Sequence, residues 1–271
     1  MSEIREAQIF APTTLAQSWA IQRRVTWALL LREILTRYGR HNIGFLWLFV
    51  EPMLFTLGVT AIWTAFKSAH ASSLPIIGFG ITGYSCVLVW RNMPNRCVNA
   101  VAPNLALLYH RNVKVLDVFM SRILLEAAGA SISFTVLSLL YIGIGWLAPP
   151  EDILLVALGW VMLIWFGAGL AILLGALAEQ SDTVEKLWHP LVYLLFPLSG
   201  AGFLVDAFPK QIQDWLLLLP MVHGVECVRD GYFGSHFVAH YSIAYMVAWN
   251  LGLTLLGLAQ TRKISRTVAP Q

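Results

Sequence analysis

Apolar residues run along almost the whole chain in stretches long enough to cross a lipid bilayer. A spanning helix needs ~20 mainly apolar residues, because it rises ~1.5 Å per residue through a hydrocarbon core ~30 Å thick. Six such stretches occur, at 43–66, 74–90, 119–147, 153–178, 187–205 and 241–260. The pattern predicts an all-α polytopic membrane protein with six transmembrane helices, forming a single domain over 1–271. Residues 1–42 read as a cytoplasmic tail and interfacial helix, 43–260 as the spans, and 261–271 as a second cytoplasmic tail.

Two segments break the rhythm of long apolar runs. Trp27, Leu30, Leu31, Ile34, Leu35 and Tyr38 recur at helical spacing, with Arg32, Glu33, Thr36, Arg37 and Arg40 on the opposite face. That is an amphipathic helix lying in the membrane interface, an anchor or a lever beside a transport path. Within 206–240, the apolar runs 215–219 and 221–228 are split by Pro220, and neither can span. They predict a re-entrant helical hairpin entering from the outer face. A single span over 212–229 would instead contain Pro220, His223 and Glu226, and would export the C-terminus.

Composition supports the membrane reading. The chain is 58% hydrophobic and 12% charged, whereas roughly 25% charged is usual for a soluble domain. Of its 18 basic residues, 15 fall before the first span, between the second and third, after the fourth, or after the sixth. Lys67, Lys210 and Arg229 fall on the other side. The positive-inside rule then places both termini in the cytoplasm. The first apolar run is too long for a signal-peptide core, so no cleavable signal is expected. Cys86 lies in the second span, Cys97 inside and Cys227 outside, so no disulfide is expected.

Glu51-Pro52 sits near the middle of the first span. The proline removes a backbone donor, and a membrane-embedded carboxylate faces a partner helix or a cavity. Glycines and alanines in spans two to four, including Gly78, Gly83, Ala127 and Gly167, read as close-packing surfaces. The stretch from Arg91 to Asp117 reads as a long basic loop broken by Pro94 and Pro103, with Leu105, Leu107 and Leu108 as an apolar anchor. His223, Glu226 and Asp230 share one helix face, with Arg229 within reach of Glu226. That face reads as an exit gate or as a local ion pair pinning the turn. Two such residues are too few to hold a metal. No phosphate-binding loop, H-E-x-x-H or G-x-S-x-G is present. The chain therefore reads as a path without an engine. Aromatic residues within spans, such as Trp47, Trp160, Tyr193 and Trp249, suit either packing or a glycan path.

Three ordered groups of residues carry a resemblance. The first is Arg32-Glu33-Ile34, Arg37-Tyr38-Gly39-Arg40, Gly44-Phe45-Leu46-Trp47 and Glu51-Pro52. The second is Asn112-Val113-Lys114-Val115-Leu116-Asp117 with Arg122 and Glu126. The third is Pro197-Leu198-Ser199-Gly200, Pro220-Met221-Val222-His223, Glu226 and Arg229-Asp230-Gly231-Tyr232-Phe233. Together they cover roughly 30–235, and the chain resembles the membrane permease subunits of ABC-2-type polysaccharide exporters, most closely the capsular branch. Leu219 departs from the family, which often has Asn before this proline.

The resemblance implies a homodimer of inner-membrane subunits exporting a lipid-linked polysaccharide. It also implies a cytoplasmic ATP-binding subunit, a periplasmic adaptor of the polysaccharide co-polymerase type and an outer-membrane channel. ATP and Mg would belong to the ATPase, with no cofactor on this chain and no nucleic-acid partner. Arg37, Arg40, His41, Arg91 and Arg96 are then candidates for the anionic end of the lipid-linked substrate, because guanidinium groups bind phosphate bidentately. Leu105, Leu107, Leu108, Arg111 and Lys114 are candidates for ATPase coupling. Trp47, Glu51, His223, Glu226 and Arg229 are candidates for pore or gate. An O-antigen or teichoic-acid glycan is the competing cargo. A lipid-modifying enzyme is the competing class, and it would need carboxylates or histidines clustered at one interface.

Overall fold

The computed structural model describes residues 14–39, 46–65, 74–108 and 113–268. Their regular elements are all helical. The interfacial helix is α1 (Leu15–Tyr38), and six long helices fall on the six predicted segments. These are α2 (Trp47–Ala65), α3 (Ile76–Cys97), α5 (Val115–Gly143), α6 (Ile153–Ala178), α7 (Asp182–Leu198) and α10 (Ile243–Val268). A four-residue α4 (Leu105–Leu108) lies between α3 and α5. The short helices α8 (Lys210–Leu216) and α9 (Pro220–Phe233) fall within 206–240, on the two short apolar runs split by Pro220. Three helices are long and apolar enough to cross a membrane, over Val115–Gly143, Ile153–Ala178 and Ile243–Arg266. Residues 1–13 of the N-terminal tail lie outside the described residues.

Local chemistry accounts for most of the boundaries. Thr14 and Gln17 form a capping box at the start of α1, which satisfies donors that a helix start leaves free. Asp152 caps α6 by accepting from the Leu155 N–H at 3.0 Å. Pro220 occupies the first turn of α9, where its missing N–H costs nothing. Leu219 precedes it as N-cap and supplies no side-chain bond, a role that Asn fills well.

One boundary corrects the sequence reading. Pro94 does not break the chain after Arg91; it lies inside α3, which continues to Cys97. Trp90, Met93, Pro94 and Cys97 are all buried, and this packing outweighs the single backbone bond that the proline forfeits. Arg91 and Arg96 therefore project from a rigid helix end.

Helix α6 is the hub of the fold, with α10, α9 and α3 packed along it. Its glycines permit the approach. A Cβ on Gly159 would lie 2.8 Å from the Val228 backbone N of α9, and one on Gly167 would lie 2.9 Å from the Trp90 Cα of α3. The aromatic residues divide accordingly. Trp160 stacks on Phe134 at 4.5 Å, and Phe166 packs edge-on to Trp90, so both belong to the core. Trp47 and Tyr193 stay largely exposed, at 51% and 72%. Helices α2 and α7 expose further large apolar residues, among them Phe55, Ile62, Leu187 and Leu194.

Candidate functional site

The inner end of α3 gathers four other elements. Arg96 Nε lies 3.2 Å from Glu126 Oε1 of α5, and the same oxygen accepts from Arg37 of α1. Arg37 also pairs with Glu33 one turn back, at 3.2 Å. Arg122 of α5 lies 3.5 Å from Glu33 and donates to the carbonyls of Arg96 and Asn99. It thereby satisfies acceptors that the end of α3 would otherwise leave open. Helix α7 joins through Trp188 Nε1, which donates to Asn95 Oδ1 at 2.6 Å, and through Glu185, which accepts from Asn99 at 2.6 Å. Arg32 of α1 donates to Asn104, and Asn104 donates to the Ala100 carbonyl at 2.8 Å. The polar face of the interfacial helix is thus turned inward onto this network, while Trp27, Leu31 and Leu35 are exposed.

Two cavities flank Arg96. One, about 370 Å³, opens between α1 and the 103–104 turn, with Arg32, Arg37 and Arg122 on its walls. The other, about 280 Å³, lies between α2 and α3, with Glu51, Pro52, Arg91, Asn92 and Asn95 on its walls. Arg96 lines both. Arg91 Nε is buried there without a hydrogen-bond partner, an arrangement that calls for an acceptor. Glu51 is exposed to the same cavity and makes no ion pair among the described residues. Arg37 is committed to Glu33 and Glu126, so the substrate-binding group named from sequence separates into a clasp residue, Arg37, and the cavity residues Arg91 and Arg96. Arg40, His41 and Arg111 lie outside the described residues.

Among the coupling candidates, Leu105 is exposed, Leu107 is half-buried and Leu108 is buried, so one turn presents one apolar side chain outward. Lys114 is exposed at the start of α5. Sequence reasoning left Glu33, Asn104, Arg122 and Glu126 out of the site. Arg122 and Glu126, one helical turn apart at the head of an apolar span, were the available signal.

The outer candidates are held differently. Arg229 is fully buried and donates to the carbonyls of Gly200, Ala201 and Phe203, each at 2.7 Å. Its guanidinium also sits 4.2 Å from the centre of the Phe79 ring. It forms no close ion pair with Glu226, which corrects the local pair read from spacing: its donors go instead to three carbonyls of the turn that follows α7. Glu226 accepts from the His240 N–H at 3.1 Å, and Asp230 accepts from the Tyr241 hydroxyl at 2.9 Å. His223 Nδ1 accepts from the Ser242 N–H at 2.9 Å, so its Nε2–H donates to the Leu217 carbonyl at 2.8 Å. The polar face of α9 is therefore bound to residues 240–242 of its own chain. Burial pushes the Glu226 carboxyl up to about 6, opposed by Arg229 and by the His240 N–H. Burial lowers the pKa of His223, which keeps the ring neutral. Cys227, placed outside by the sequence reading, is buried against Leu155.

The described residues thus form an all-helical bundle with a charged helix clasped to one end. The sequence pattern of the ABC-2 type transporter family matches residues 24–233, and the chain belongs to that family. It is similar to the capsule polysaccharide export inner-membrane protein CtrC of Neisseria meningitidis, at 44% identity over 96% of this chain and 98% of that protein. It is 45% identical to the capsule polysaccharide export inner-membrane protein BexB of Haemophilus influenzae, with the same coverage. It is 28% identical to the polysialic acid transport protein KpsM of Escherichia coli, over 89% of this chain and 94% of that one.

Proposed function

We propose that this chain is the transmembrane subunit of an ATP-driven exporter that moves lipid-linked capsular polysaccharide from the cytoplasm to the periplasm. The observation that carries the reading is 44–45% identity, end to end, with two capsule polysaccharide export inner-membrane proteins. ATP and Mg belong to a separate cytoplasmic subunit. The subunit has six spans with both termini inside, in keeping with the basic-residue asymmetry. Residues 206–240 form the outer re-entrant hairpin and gate, working with a periplasmic adaptor and an outer-membrane channel. Two copies pair through the apolar faces that α2 and α7 leave exposed, bringing Trp47 and Tyr193 towards the path.

The inner network supplies the coupling. The segment 98–108 receives the stroke of the ATPase, with Leu105 as its outward anchor. Asn104 passes it to Arg32, and the Arg122 bonds pass it to the end of α3. The interfacial helix and the cavity walls then move together. Arg91 and Arg96, with the buried unpaired Arg91 Nε, hold the phosphate of the incoming lipid anchor.

The test is complementation of a capsulated strain lacking its own permease. Surface polysaccharide should return with this chain plus its ATPase, and Arg91→Lys should lower it several-fold while protein level stays unchanged. Polymer retained inside the cells despite normal membrane insertion would overturn the reading.

A further inference from the structure

Helix α1 does not pack evenly along α5. Between the N-terminal half of α1 and the first turns of α5 runs a groove of about 840 Å³, within the ~300–1,000 Å³ usual for small-molecule sites. Leu30, Leu116 and Met120 lie half-buried in it, and Trp19, Trp27 and Leu124 stand exposed on its walls. Its polar rim carries Arg23, Arg24 and Lys114 against one carboxylate, Asp117. The Asp117 carboxylate already accepts from the Lys114 N–H at 2.9 Å. Arg24 donates only to its own helix, at the Ala20 carbonyl, and Arg23 has no partner among the described residues. The groove shares no residue with the two polar cavities beside Arg96.

An apolar trough ending in unpaired guanidinium groups, on a helix with an exposed apolar face, matches one amphiphile in chemistry and position. We propose that this groove holds an acyl chain of a resident anionic phospholipid, with its phosphate on Arg23 and Arg24. Trp19 and Trp27, exposed on the groove wall, suit a membrane interface, where aromatic rings are enriched. Guanidinium groups grip phosphate oxygens in pairs, which sets the preference for a headgroup without a compensating cation. The lipid splints the first half of α1 to α5, while ion pairs hold the second half. This lipid is distinct from the cargo, and the inference does not depend on which glycan is exported.

The test uses the full-length protein purified in detergent, titrated with dioleoyl phosphatidylglycerol or dioleoyl phosphatidylcholine and read by native mass spectrometry. One phosphatidylglycerol per protomer should bind at a concentration at least tenfold below that needed for phosphatidylcholine. Arg23→Ser with Arg24→Ser should abolish that preference. Leu124→Trp, which fills the groove and leaves the charges in place, should weaken both lipids. Elution as a monodisperse species confirms that each variant is folded. Equal binding of the two lipids by the unaltered protein would overturn the proposal, as would an intact preference in both variants. Displacement of phosphatidylglycerol by purified lipid-linked glycan would also overturn it, because the groove would then be a cargo site.

Discussion

The two ends of this bundle are held by different chemistry. At the outer end, Arg229, Glu226 and His223 are each bonded to backbone groups of loops that are themselves part of the packed body. At the inner end, Arg37, Arg96, Arg122, Glu33 and Glu126 bond largely to one another, part-exposed, around open cavities. A side chain bonded to backbone has one geometry, and losing it leaves buried acceptors empty. A cluster of two carboxylates and three guanidinium groups can exchange partners at little cost. Rigidity at one end and re-pairing at the other suit the coupling proposed above.

The contrast breaks most easily at Arg229. Arg229→Ala should cost about 3–5 kcal/mol, because a buried charge site loses its only donors. Purified yield and thermal melting should both collapse, and Arg229→Lys should not rescue them, since an ammonium cannot fork to three carbonyls. An Arg229→Ala protein melting like the parent would show that the outer end is not what braces the bundle.

A substitution in the inner clasp should separate stability from transport. Arg37→Ala should lower stability by about 1–3 kcal/mol, since Glu126 keeps Arg96 as a partner, yet reduce export roughly tenfold. The exchange Arg37→Glu with Glu126→Arg should recover part of the export. Equal loss of melting temperature and export in Arg37→Ala would merge the two ends into one kind of structure.

Salt sharpens the comparison further. Raising ionic strength should expose α1 to protease, because the Debye length falls from ~10 Å at 0.1 M to ~3 Å at 1 M. Cleavage within 199–242 should not change over the same range.

The smallest effect is in pH. Glu226, raised to about 6 from 4.5, binds more protons folded than unfolded, so its contribution to stability falls as pH rises between those values. His223, lowered from 6.5, binds fewer protons folded, so its contribution falls as pH drops below 6.5. The two slopes oppose each other just below pH 6. Glu226→Gln should remove the first and leave a melting temperature that declines steadily on acidification.

The long apolar runs made the helices legible, because length and hydropathy alone decide them. Segment ends were less so. The predicted fifth segment, 187–205, begins late because Ser181 caps α7 ahead of a polar first turn, and it ends late because Gly200, at φ 84°, turns the chain. Pro94 was read as a breaker because local propensity cannot register the burial of Trp90 and Met93 around it. That single misplacement hid the partners of Arg91 and Arg96. Once 91–97 is helix, Arg91, Asn95 and Arg96 have fixed directions, and the partners Glu126, Trp188 and Glu51 come within reach. The spacing of His223, Glu226 and Asp230 correctly gave one polar face. It could not give the facing surface, because residues 240–242 arrive from beyond the hairpin.

The seating of Arg229 also dictates an order of assembly. Its guanidinium rests against Phe79, and a Cβ on Gly83 would lie 2.7 Å from its Nη2. Helix α3 leaves the ribosome early and packs on α2, α5 and α6, yet the two groups that close on Gly83, the Ala201 carbonyl and Arg229, are made some 118 and 146 positions later. A nascent chain stopped at 198 would therefore carry an open notch at Gly83, closed only by chain made afterwards.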